Sequence, residues 1–181
     1  MTININTENS AFLFIDIQEK LINMLEEKIA KSCEKNVNIL AKTSKILNIK
    51  SVVTEQYPKG LGETIYSVKE SLSEYTNFVE KTSFSAFDET KNLLKEKENI
   101  FVFGIETHIC VFQTVIDLLK NNYNVFVVKN ACASRKKDEY KTAISLMEKE
   151  GAKIITTEMV LFEMLKSLKH PNFKEVQSFI K

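Results

Sequence analysis

The chain has 181 residues, of which 44% are hydrophobic and 27% charged, and its formal net charge is +1. That length suits one domain with a substantial core, and the balance argues against a disordered chain or a general polyanion binder. Four Gly and two Pro leave little material for linkers, and no apolar run approaches the roughly 18 residues of a membrane span.

The first segment, Met1 to Ser10, is polar and lacks a basic region followed by an apolar stretch, so no secretory signal is expected. Ala11 to Ile15 is an apolar run of strand length, ending at Asp16. Leu21, Leu25, Ile29, Cys33, Val37 and Leu40 then place one apolar stripe along a long first helix, with Cys33 a small core residue on it. Strands follow at Ser51 to Thr54, Asn77 to Lys81, Ile100 to Ile105, Asn124 to Val128 and Lys153 to Thr156. Helical spacing of Val111, Val115, Leu118 and Leu119 starts just after the fourth strand. Asp138 to Glu150 reads as a helix stopped by Gly151, and Met159 to Leu168 as another. After His170-Pro171-Asn172, Phe173, Val176, Phe179 and Ile180 form a short apolar helical face, fit to dock on its own core or on a neighbouring subunit.

Strands that are apolar throughout and alternate with helices predict a parallel sheet covered on both faces. Right-handed crossovers make this a three-layer α/β sandwich, whose binding edge lies at the strand C-terminal ends, near the reversal of strand order. No repeat or domain boundary interrupts it, so residues 1–181 read as a single domain. Three cysteines, Cys33, Cys110 and Cys132, leave one unpaired under any bridge and form no Cys-x-x-Cys. That pattern fits a reducing compartment, and a soluble cytoplasmic protein with no membrane or nucleic-acid partner is expected. Arg135-Lys136-Lys137 reads as a solvated helix start.

Three chemically capable residues fall at strand ends: Asp16, Lys81 and Cys110. Each has a plain alternative. Asp16 can cap the first helix with Glu19 completing the box, Lys81 can be a surface lysine, and Cys110 can be a packing residue. Together they suit nucleophilic attack on a carbonyl. The helix start beneath Cys110 and the Lys81 ammonium favour a thiolate, the carboxylate takes and returns a proton, and free N–H groups receive the oxyanion. Only two histidines exist, His108 and His170, and neither suits a Cys–His pair; His108 reads as lining a pocket mouth or as an exposed first-turn residue.

Asp16 in Phe14-Ile15-Asp16-Ile17-Gln18, Lys81 in Glu80-Lys81-Thr82-Ser83-Phe84, and Cys110 in Gly104-Ile105-Glu106-Thr107-His108-Ile109-Cys110-Val111 resemble the triad of isochorismatase-like cysteine hydrolases. Thr54 to Gly62, Asn130 to Arg135 and His170 to Glu175 extend the resemblance over nearly the whole chain, closest to the isochorismatase domain-containing subgroup. The resemblance implies a Rossmann-like sandwich with a six-stranded, mostly parallel sheet, and homo-oligomers. It also implies a cis peptide before Glu106, with the N–H groups of Glu106 and Cys110 as oxyanion hole. Thr107 is a competitor there, because its side chain can cap the helix by accepting the Cys110 N–H.

Nicotinamidases of that family carry a metal where this chain has Gln56 and Pro58, which supply neither anionic nor imidazole ligands. No metal and no cofactor are therefore expected. Isochorismatases proper lack the cysteine that this chain retains, so acyl transfer is the better expectation. The reading is a metal-independent cysteine hydrolase cleaving a small amide or related C–N bond through a thioester, with Gln56, Tyr57, Phe84 and His108 around the substrate. Its rival is a catalytically idle or redox-responsive interaction protein that keeps the fold.

Overall fold

The computed structural model describes residues 4–181. Six strands, β1 (Ser10–Ile15), β2 (Lys50–Gln56), β3 (Asn77–Lys81), β4 (Asn99–Ile105), β5 (Asn124–Ala133) and β6 (Lys153–Ile155), form one sheet in the order β3-β2-β1-β4-β5-β6. Every pairing is parallel. The helices are α1 (Glu19–Asn23), α2 (Glu27–Ile46), α3 (Pro58–Leu61), α4 (Tyr66–Ser71), α5 (Phe87–Leu94), α6 (Phe112–Lys120), α7 (Lys137–Lys149), α8 (Thr157–Leu165) and α9 (Phe173–Ser178). This is the expected three-layer α/β sandwich. Its strand order reverses between β1 and β4, the switch point at whose C-terminal ends such sheets bind ligands.

The two central strands are buried along their whole length, because helices cover both faces. Phe12 and Phe14 on β1 meet Phe101 and Phe103 on β4, with Phe14 and Phe103 ring centroids 4.5 Å apart in an edge-on contact. That seam runs up to the switch point. Gly104 near the end of β4 has φ +138°, and a Cβ there would lie 2.0 Å from the Ile15 carbonyl oxygen. The β1–β4 pair closes at this point because no side chain intervenes. The β4–β5 register also shifts between Val102 and Gly104.

Several boundaries differ from expectation. The long first helix is two helices: Leu21 lies on α1, Leu25 is buried in the turn between them, and Ile29 to Leu40 lie on α2. The apolar spacing survives the break because the Leu25 N–H still reaches the Ile22 carbonyl at 3.1 Å. β5 runs five residues beyond Val128, since the register shift keeps Cys132 and Ala133 paired with Gly104 and Ile105. Thr156 accepts the Met159 N–H and so caps α8, which begins earlier than expected and ends before Lys166, at φ +58°. Cys33 is core, Gly151 follows α7 at φ +106°, and the tail face of Phe173, Val176, Phe179 and Ile180 packs on the chain's own core.

Candidate active site

Asp16 leaves β1 at φ +50°, a left-handed conformation that Asp tolerates better than most residues. The turn buries its carboxylate completely. Oδ1 accepts the Thr54 hydroxyl at 2.6 Å, and Oδ2 lies 2.7 Å from the Lys81 Nζ with no other partner. Asp16 therefore does not cap α1; Gln18 occupies that position without a side-chain cap bond. The carboxylate is drawn sideways across the strand ends instead of forward onto the helix.

Lys81 ends β3, two strands from β1. Two strand spacings are about 10 Å, a gap that a lysine and an aspartate together can span. The Lys81 ammonium also donates to Gln56 Oε1 at 2.7 Å and to the Ser83 and Phe84 carbonyls at 3.1 Å each. Its side chain is fully buried, so it is no surface lysine. The strand between supplies both supports: Thr54 and Gln56 stand two apart on β2 and so share a face. Gln18, itself buried, locks that strand end by accepting the Gln56 N–H at 2.7 Å and donating to the Gln56 and Gly62 carbonyls. Thr54 and Gln18 carry no chemistry of their own, and their periodicity marks them only as strand and loop residues; sequence reasoning passed over both.

Cys110 follows β4 through a cis peptide between Ile105 and Glu106 and a π-helical turn, Thr107–Val111. The Glu106 carbonyl takes the N–H groups of Ile109 (3.0 Å) and Val111 (3.3 Å). Thr107 does not cap this turn, and its buried hydroxyl has no partner among the described residues. The competition expected for the Cys110 N–H is thus absent from the Thr107 side chain. Thr114 ties the cysteine to the lysine loop, with its hydroxyl donating to the Cys110 carbonyl at 2.7 Å and accepting the Ala86 N–H at 2.9 Å.

Cys110 is 6% exposed, and its thiol pKa is pushed up to about 12. Burial is the main cause, the Asp16 carboxylate adds to it, and the Lys81 ammonium pulls the other way. Both charges therefore act on the thiol, in opposite senses. The resting group is a thiol beside a carboxylate, not the thiolate expected from the helix start and Lys81. A desolvated anion next to Asp16 outweighs one shared cation.

The remaining residues form a rim. Gln56 is half-buried, and both ends of its amide are engaged, one by Lys81 and the other by the Thr82 carbonyl at 2.8 Å. Tyr57 and Phe84 are 57% and 54% exposed. His108 is half-buried, with Nδ1 3.0 Å from the Ser134 hydroxyl. The buried Glu106 carboxylate accepts the Arg135 backbone N–H and Nε–H at 3.0 and 2.9 Å, so Arg135 is an ion-pair partner and not merely a solvated helix start. Pro58 opens α3. Among the described residues, no three His, Cys, Asp or Glu side chains converge as metal ligands would.

A doubly wound sheet with a buried carboxylate, lysine and thiol at its switch point defines a hydrolase-type α/β domain. The chain belongs to the isochorismatase family, matching its domain over residues 10–159. Isochorismatase domain-containing protein 2 of Xenopus laevis is 37% identical, the match covering 96% of this chain and 84% of that one. The structure of MAR1 ribonuclease from Caenorhabditis elegans is 39% identical, with a TM-score of 0.94 over 98% of this chain and 92% of that one. The YcaC gene product of Escherichia coli, described as an octameric hydrolase of unknown specificity, shares the fold at 18% identity and a TM-score of 0.83, covering 98% and 96%. No helix among the described residues is long and apolar enough to cross a membrane.

Proposed function

We propose that this hydrolase cleaves a small amide or related C–N bond through a thioester on Cys110. The observation that carries the reading is the 2.7 Å contact between the fully buried Asp16 and Lys81, whose charges both act on the Cys110 thiol. Asp16 accepts the thiol proton as sulfur bonds to the carbonyl carbon. The oxyanion is received by the N–H groups of Glu106 and Cys110. Asp16 then gives its proton to the leaving nitrogen, the C–N bond breaks, and ammonia or an amine departs. Water, deprotonated by Asp16, hydrolyses the thioester and restores the thiol. Lys81 holds the carboxylate in place and offsets negative charge when the thiolate forms.

Gln56 positions Lys81 from beside the substrate, while Tyr57, Phe84 and His108 border it. No metal or other cofactor takes part. The protein works as a homo-oligomer in the cytoplasm; the Escherichia coli relative is octameric. A small molecule suits a cysteine only 6% exposed better than a polynucleotide does. The ribonuclease name of the Caenorhabditis elegans protein nevertheless makes RNA the comparison to run.

The test is intact-mass detection of an acyl adduct after incubation with a panel of small amides, alongside a labelled RNA. An adduct on the native protein, absent from Cys110→Ala, is expected. RNA cleavage lost in Cys110→Ala, with no adduct from any amide, would overturn the reading. An inert thiol toward both would favour the idle interaction protein, and peroxide oxidation of Cys110 without turnover the redox-responsive one.

A further inference from the structure

A cavity lies between the N-terminal turns of α2 and α7 and the end of β5, and meets the candidate site at Ser134, whose hydroxyl holds His108. Its volume is about 500 Å³, within the range that holds small ligands. The floor is apolar, built from Ile29, Cys33, Cys132, Ala133 and the half-buried Tyr140. Four lysines line the rim, Lys28, Lys129, Lys137 and Lys141, against one acid, Glu26. That is a local excess of three positive charges in a chain whose net charge is +1. None of the four lysines is in an ion pair among the described residues.

We propose that this cavity binds a small monocarboxylate with an apolar body. The two helices add to the lysine field. α2 and α7, of 20 and 13 residues, both begin here, and neither has a side-chain cap, so their first N–H groups and dipoles favour an anion. Their acidic first-turn residues, Glu27, Asp138 and Glu139, lie outside the lining. Cys132 adds a buried thiol to the cavity wall. It is 6% exposed, it lines the cavity, and its S–H has no acceptor among the described residues, whereas Cys33 donates to the Ala131 carbonyl at 3.4 Å. A carboxylate offers an acceptor to such a donor and a counter-charge to the rim, while an apolar body covers the floor. The Tyr140 hydroxyl is already committed to the Lys129 carbonyl at 2.8 Å, so it holds the wall and does not compete.

The probe is benzoate, titrated calorimetrically into the full chain, with benzyl alcohol as the uncharged counterpart and inorganic phosphate as the anion without an apolar body. Saturable benzoate binding is expected, with both controls weaker. Removing two rim charges in the Lys137→Gln/Lys141→Gln variant should weaken it about tenfold. In the native protein, benzoate should slow iodoacetamide labelling of Cys132 and leave Cys110 unchanged. No saturable binding, no effect of the double substitution, phosphate binding as tightly as benzoate, or protection of Cys110 in place of Cys132 would each overturn the proposal. None of these readouts depends on amide turnover, so the cavity and the triad stand or fall separately.

Discussion

Asp16→Asn and Lys81→Ala should move the Cys110 thiol in opposite directions. The thiol stands at about 12 through burial and the Asp16 charge, with Lys81 as the opposing influence. A unit charge at about 4 Å and an effective dielectric near 20 is worth ~4 kcal/mol, or ~3 pH units. Relaxation of the side chain left behind reduces this to ~1–2 pH units. Below its pKa the thiol alkylates in proportion to its thiolate fraction. Loss of the Asp16 charge lowers the thiol, so the rate profile shifts to lower pH; loss of the Lys81 charge shifts it to higher pH. A less basic thiolate is also a weaker nucleophile, so the rate near pH 8 should change by roughly 3- to 10-fold. The assay is iodoacetamide labelling across about pH 7–10 followed by peptide mapping. Cys132 serves as the internal reference, because its thiol, also pushed up to about 12 by burial, feels neither charge. Shifts in the same sense, or no shift of Cys110 relative to Cys132, would refute the three-residue cluster as an electrostatic unit.

Other outcomes follow from the same contacts. On any amide that forms the adduct, Asp16→Asn, Lys81→Ala and Cys110→Ala should each cut amine release by roughly 10²–10⁴-fold, with double variants little worse, because the groups act as a unit. The same turnover should persist in EDTA; loss restored by added zinc, manganese or iron would contradict a metal-free mechanism. Gly104→Ala places a Cβ 2.0 Å from the Ile15 carbonyl oxygen and should cost about 3 kcal/mol or more in urea unfolding. Thr114→Val breaks the link between the Cys110 carbonyl and the Ala86 N–H, for about 1–3 kcal/mol by the same measurement, whereas Thr114→Ser should retain most of it.

Much of this protein is legible in one dimension. Apolar strand runs alternating with helical stripes specify a parallel sheet between helices, since the periods of 2 and 3.6 are local properties of the backbone. Residues that follow such strands reach the sheet's C-terminal edge, which is why Asp16, Lys81 and Cys110 stand out by position. Tertiary structure decided the rest. Strand order set β2 between β1 and β3, and only then do Thr54 and Gln56 become the supports of Asp16 and Lys81. The same order took Asp16 out of the cap position, because its carboxylate turns sideways to Thr54 and Lys81 while Gln18 precedes α1. It also reversed the expected charge state of Cys110, since burial and a neighbouring carboxylate are properties of the packed core and not of a helix start. The cavity between α2, β5 and α7 brings together residues about a hundred positions apart, Cys33 and Cys132 among them. No spacing rule along the chain records that meeting, because it exists only once the helices close over the sheet.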